Sequence, residues 1–310
     1  MRRRLRGAIG ATAATLALVA IGVVVSYQPA GAGPQHGNHP GAVDQQQAQA
    51  IKDQVGIQGA SEFRVTCSSS HRAGNDPIVF PGQTGVSHIH EFFGNRSTNA
   101  NSTITSLKAA TTNCNPVADL SAYWVPTVYK NGQPVVPESV TVYYQGIHDM
   151  AQAKAHPPGL RYVVGNSKAT SPAQNPAARW SCTTQSPSSP DFMNCPAGTK
   201  LETYLDFPTC WDGKNLDSAN HRDHMVFWAG SCPSTHPVVL PRLELLITYP
   251  VNGGGLSLGG TVNGVNTTNA PGYTFHGDFM NAWDQNELQR RMNNCINPGR
   301  ICGNDGNPIR

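Results

Sequence analysis

All eight cysteines of this 310-residue chain lie downstream of a segment built for export: Cys67, Cys114, Cys182, Cys195, Cys210, Cys232, Cys295 and Cys302. The segment opens MRRRLRG, with Arg2, Arg3, Arg4 and Arg6, continues as an apolar run from Ala8 to about Val25, and ends PAGAG with small residues at Ala30 and Ala32. Basic, apolar and small-x-small regions in that order read as a secretory leader, cleaved after Ala32. Left uncleaved, it would act as an N-terminal anchor. No later stretch is apolar enough to span a membrane. An even cysteine count in an exported chain favours disulfides over a metal cluster, and no CxxC pair is present to suggest a structural zinc site. Proximity along the chain pairs Cys182–Cys195, Cys210–Cys232 and Cys295–Cys302, which leaves Cys67–Cys114. Loops closed in this way stabilise a loop-rich domain by about 3 kcal/mol each on the chain-entropy estimate.

The leader also accounts for the formal charge. Without its four arginines, Lys+Arg falls from 22 to 18 against 19 Asp+Glu, so the +3 of the whole chain becomes about −1. No basic excess remains to suggest nucleic acid. Charged residues are only 13%, while 31 glycines and 24 prolines punctuate the chain. That composition fits many short strands and turns better than helices.

Residues 1–32 are thus the leader, and residues 33–60, rich in Gly, Gln and His, a flexible tether. His36 and His39 of the tether read as solvated. Residues 61–302 form one β-rich domain, and 303–310 a tail. Strand chemistry recurs at Phe63–Thr66, Pro77–Phe80, Tyr123–Tyr129, Ser139–Tyr144, Leu160–Val164, Arg179–Cys182, Leu201–Phe207, His224–Trp228 and Leu243–Tyr249. Asn131-Gly132 predicts a tight hairpin. Phe279, Trp283, Leu288 and Met292 lie along one stripe and predict a helix over Asp278–Cys295, with Asp278 as its natural N-cap. The expected class is mainly β (α+β): a single disulfide-stapled β-sandwich or jelly-roll-like domain with a C-terminal helix.

Three histidine-bearing stretches carry the chemistry. In SHIHEFFGN, His88 and His90 are two residues apart, so an extended backbone points both to one face. There they could share a metal or divide acid and base roles. In CWDGKNLDSANHRDHMVFW, Trp211, Asp212, Lys214, Asn215, Asp217, His221, Asp223 and His224 crowd one loop. The bland reading is that its Asp and Asn serve the loop's own backbone. In HGDFMNAWD, His276, Asp278 and Asn281 follow one another closely, and His276 has no capping duty. The expectation is a composite site in which the three stretches meet. His148, Asp149, His156 and His236 rank below these.

Taken together, NDPIVFPGQTGVSHIHEFFGN, ADLSAYWVPTVYKNG, PPGLRYVVGN, CWDGKNLDSANHRDHM and YTFHGDFMNAWDQNELQ resemble the secreted domain-of-unknown-function family number nineteen ninety-six. That family occurs in filamentous fungi and actinobacteria and is sometimes fused to WSC carbohydrate-binding domains. The resemblance runs from about Cys67 to Cys295. It implies no settled activity, but its association with WSC domains implies work on a cell wall or polysaccharide.

Three functions follow as expectations. The first is an extracellular hydrolase or lyase acting on polysaccharide. Its catalytic groups would come from His88, His90, Asp212, His224, His276 and Asp278, and its binding groups from Asp76, Arg161, Trp211, Lys214, Asn215, Asp217 and Asn281. A glycosidase needs two carboxyls about 5–9.5 Å apart. A lyase needs a base and a cation or amide to neutralise a uronate. Trp124, Trp211, Trp228 and Tyr144 could stack on sugars. The second is a metal-binding protein, in which His88 and His90 with His224 or His276 would hold zinc or copper. The third is a non-catalytic protein of the cell surface or wall.

Overall fold

The computed structural model describes residues 61–146, 151–183 and 188–309. The leader, the tether, His148 and Asp149 lie outside the described residues.

Ten strands make two antiparallel five-stranded sheets. The first runs in the order β1 (Ser61–Cys67), β7 (Ser139–Gly146), β14 (Arg242–Tyr249), β10 (Leu201–Asp206), β9 (Arg179–Cys182). The second runs β2 (Ser69–Ala73), β3 (His90–Gly94), β4 (Ala122–Pro126), β17 (His276–Met280), β8 (Arg161–Gly165). A smaller sheet joins β5 (Val128–Lys130), β6 (Gln133–Pro134), β15 (Leu256–Val262) and β16 (Val265–Ala270). A three-stranded ribbon joins β11 (Cys210–Trp211), β12 (Met225–Val226) and β13 (Val238–Val239). The class is therefore mainly β, arranged like a sandwich.

Alternation explains the packing. Phe63 and Val65 on β1, Val142 and Tyr144 on β7, and Leu243, Leu245 and Ile247 on β14 point inward. They share one core with Tyr123 and Val125 of β4, Tyr162 and Val164 of β8 and Phe279 of β17. Period-two alternation then sends Phe92, Trp124, Val163 and Met280 to the second sheet's other face. There they form a separate cluster with Ile78 and with Leu107 of α1 (Ile104–Lys108). The two sheets approach closely at Gly277, where a Cβ would stand 2.4 Å from Leu205. The second sheet is thus covered on both sides, which lets it carry buried polar groups on its outer face.

All four disulfides pair as proximity along the chain predicts: Cys67–Cys114, Cys182–Cys195, Cys210–Cys232 and Cys295–Cys302. The hairpin at Asn131-Gly132 also forms, joining β5 to β6 with φ of 51° and 77° at its two turn residues.

Three expectations need correction. Pro77–Phe80 is a turn, because the Asp76 carboxylate accepts from Ile78 N and Val79 N and pulls the backbone round. His224–Trp228 contributes only the two-residue strand β12. Asp278 is not a helix cap: it lies inside β17, paired with Trp124 and Val163. The helix α2 (Gln285–Arg291) starts later, and its cap is Asp284, which accepts from Glu287 N at 2.9 Å. Beyond it, Arg290 and Arg291 donate to the carbonyls of Asp305 and Asn304, so residues of the tail fold back on the helix.

Candidate functional site

The outer face of the second sheet gathers the histidines. His90 opens β3 and His276 opens β17. On β17, His276 and Asp278 share a face because they are two residues apart. His88 stands two residues before the first residue of β3, on the same side as His90, while Glu91 turns the other way and pairs with Arg72 at 2.7 Å. His88, His90 and His276 are buried. The Nε2 atoms of His88 and His276 are 3.0 Å apart, and those of His90 and His276 are 3.4 Å apart.

Hydrogen bonds fix the proton on two of these rings. His90 Nδ1 lies 3.0 Å from the Asn75 carbonyl, and His276 Nδ1 lies 2.9 Å from that of Thr274. A carbonyl oxygen only accepts, so each Nδ1 donates. Burial pushes His90 down to about 3, helped by His276, and pushes His276 down to about 4. Both rings are therefore neutral at pH 7, and each presents a bare lone pair at Nε2. These lone pairs face each other at 3.4 Å with no proton between them. A proton on His88 Nε2 could satisfy His276, but the His90–His276 contact would still lack a donor. A cation resolves the conflict. Ligands held about 2.0–2.1 Å from a tetrahedral zinc stand about 3.3–3.4 Å apart, close to the separations observed. Backbone carbonyls that hold the far nitrogens are the usual outer partners of metal-binding imidazoles.

Carboxylates complete the cluster. Asp76, His90 and Asp278 bring donor atoms within 4.8 Å of one another, as do the three histidines. Asp76 is committed to its turn through Oδ1, and burial raises its carboxyl to about 6 against the pull of the Val79 and Ile78 amides. Asp278 is fully buried, and among the described residues neither of its oxygens has a hydrogen-bond partner. Burial, reinforced by Asp76, raises its carboxyl well above the usual range, and Arg222 opposes this. Leaving a buried carboxyl unpartnered costs about 1–3 kcal/mol or more.

These groups line a pocket of about 280 Å³, in which His88, His276, Asp76 and Asp278 meet Arg222 and Lys168, with Val79 and Phe80 forming an apolar wall. Arg222 donates from Nη1 to Val163 O at 2.9 Å and from Nη2 to Gly165 O at 2.7 Å. Gly165 is needed where it stands. Its φ is +85°, and a Cβ would lie 2.5 Å from Phe275 O and 2.7 Å from His276 Cα. β8 can approach β17 this closely only without a side chain.

The expected composite site forms in part. His88, His90, His276, Asp278 and Asp76 come together. The polar loop also reaches the pocket, but through Arg222, which sequence reasoning passed over. The signal was there: Arg222 is the one arginine inside the loop's run of Asp, Asn and His. The loop's other expected groups serve the loop. Asp212 accepts from Lys214 N, Asn215 N and Asn215 Nδ2, and Trp211 donates to Asn215 O. Lys214 is exposed. Asp217 is taken by Arg161 at 2.9 Å and by His221 at 2.8 Å. His224 spends both ring nitrogens, on Ser218 Oγ and Arg161 O. Asn281 donates to the carbonyls of His156 and Pro157. None of Arg161, Trp211, Asp212, Lys214, Asn215, Asp217, His224 and Asn281 lines the pocket. Trp124 and Tyr144 are core residues without exposed faces for a sugar.

No curated protein and no solved structure matches the chain. A family model described as a domain of unknown function, DUF1996, matches residues 76–283. That span begins at Asp76 and takes in all three histidines, Arg222 and Asp278, so the pocket is built almost wholly from the matched region, and the chain belongs to the DUF1996 family.

Proposed function

We propose that the protein is an exported, metal-dependent enzyme that cleaves an extracellular or cell-wall polysaccharide, as a hydrolase or a lyase. His88, His90 and His276 would hold one zinc or copper ion, and Asp278 and Asp76 would handle protons beside it. The observation that carries this reading is the pair of proton-free Nε2 atoms on His90 and His276, 3.4 Å apart. Imidazole suits both metals. Three histidines with a free coordination position are a known arrangement for activating water or polarising an oxygen. Asp278 brings a carboxylate oxygen within 4.8 Å of a His90 ring nitrogen, and among the described residues neither of its oxygens has a hydrogen-bond partner.

Export is supported by the leader and by four disulfides. Among the described residues, no helix is long and apolar enough to cross a membrane. The polysaccharide reading rests on the WSC association and on a pocket that combines carboxyls, cations and an apolar wall. Metal content tests the proposal. The chain is expressed into an oxidising compartment, purified without chelator or affinity histidines, and assayed by mass spectrometry. About one equivalent of zinc or copper is expected, lost in the His88→Ala/His90→Ala double variant. A metal-free wild type that cleaves polysaccharide would contradict it.

A further inference from the structure

A second cavity of about 360 Å³ adjoins the first, and Lys168 and Thr261 line both. Its wall includes Thr274, whose carbonyl holds His276 Nδ1. The two spaces therefore share walls, and the turn that lines the second also fixes His276, which lines the first. Alone, each is near the small end of ligand pockets, about 300–1,000 Å³. Side by side across Lys168 and Thr261, they offer two adjacent subsites, which a cleaved polymer requires.

Charge is distributed unevenly along this cleft. At the buried end, Asp76 and Asp278 face Arg222. Among the described residues, Lys168 is the only charged one lining the outer cavity. Lys168 is exposed and makes no ion pair with a described residue, and its backbone is set by a bond from its N–H to Asn166 Oδ1. Tyr273 lines the same cavity, half-buried, on a turn that is held from several sides. Asn175 Nδ2 donates to the carbonyls of Tyr273 and Phe275, and Trp180 Nε1 donates to that of Gly272. A tyrosine on a rigid turn offers a pre-set face for a sugar ring, at little ordering cost.

We infer that this cleft binds an anionic glycan, with a uronate carboxylate at Lys168 and a neighbouring ring on Tyr273. The inference rests on the polysaccharide reading above and narrows it to carboxylated chains. An exposed lysine acts on such a chain mainly through charge, so its contribution is sensitive to salt. The polar residues beside it, Thr170, Thr261 and Asn263, suit sugar hydroxyls.

The test is calorimetric titration of the exported chain with tetragalacturonate and with the neutral cellotetraose, at low and high salt. The acidic ligand is expected to bind at least tenfold more tightly at low salt. Lys168→Gln is expected to remove most of that preference, and Tyr273→Ala to weaken both ligands. Neither variant should change metal content. Equal binding of the two oligosaccharides, or a preference untouched in Lys168→Gln, would overturn the inference. Metal measured on the same samples separates the two readings. Metal-loaded protein that is blind to charge overturns the cleft assignment alone. Metal-free protein that keeps the preference overturns the metal reading and supports the cleft.

Discussion

Two polar regions of this molecule look alike in sequence and differ in what their side chains have left to offer. The loop between Cys210 and Trp228 is dense with Asp, Asn and His, and nearly every one of those groups is used up locally. Asp212 caps its own turn, Asp217 holds Arg161 and His221, and His224 has a partner on each nitrogen. The outer face of the second sheet has fewer polar groups, but they are not satisfied among themselves. His90 and His276 face each other without a proton, and Asp278 has two oxygens without a hydrogen-bond partner among the described residues. Polar density therefore marks a loop that must satisfy its own backbone. Function is better sought where buried polar groups remain unpaired after the backbone has been satisfied.

Mutations should separate the two regions, and the largest effect falls on the sheet face. His276→Ala removes the ring common to both short Nε2 contacts. Metal affinity should fall by more than the roughly 10–100-fold typical of losing an outer partner, as measured by competition with a chromophoric chelator. Gly165→Ala comes next. It puts a side chain at φ +85° against the backbone of Phe275 and His276. It should destabilise the fold by about 2–4 kcal/mol in chemical denaturation and lower metal occupancy, although residue 165 carries no ligand.

The loop should respond in the opposite sense. His224→Ala breaks bonds to Ser218 and Arg161 and should cost about 1–3 kcal/mol of stability, with metal binding unchanged. Equal metal loss in His224→Ala and His276→Ala would erase the distinction.

A smaller, pH-dependent effect follows from the buried imidazoles of chelator-treated protein. His90 and His276 titrate near 3 and 4 in the fold, below the 6.5 of a free histidine. Between about pH 6.5 and 4 the unfolded chain binds protons that the folded chain refuses. The contribution of these two histidines to stability is therefore full above pH 6.5 and falls as pH drops through that window. Asp76, raised to about 6, works the other way by binding a proton in the fold first. The difference between wild type and His276→Ala isolates the histidine contribution. The variant should lose less stability from pH 7 to pH 5 in urea titrations. The smallest effect is expected of Asp212→Ala: under about 1 kcal/mol of stability, and activity on a polysaccharide panel within twofold of wild type.

Much of the frame was legible because it is local. Disulfides between neighbouring cysteines, the Asn131-Gly132 turn and the shared face of His88 and His90 all follow from short-range geometry. What failed was non-local. Residues 276–280 lie between β4 and β8, strands more than 100 residues earlier in the chain, and nothing in FHGDFMN announces those partners. Of the stripe Phe279, Trp283, Leu288 and Met292, Phe279 packs inward as a strand residue and Trp283 precedes the Asp284 cap, so within α2 only Leu288 belongs to it. Asp278 was assigned a cap for the same reason. In the loop, counting acids and histidines drew attention from Arg222, whose role depends on carbonyls of β8 some 60 residues away.

The central claim is that three imidazole nitrogens converge on one ion. The most direct measurement is anomalous diffraction from crystals of the purified protein, recorded above and below the zinc and copper absorption edges. The account predicts one peak at one of those edges, about 2.0–2.1 Å from Nε2 of His88, His90 and His276. A well-ordered cluster with no anomalous peak, in protein that is active on its substrate, would contradict it.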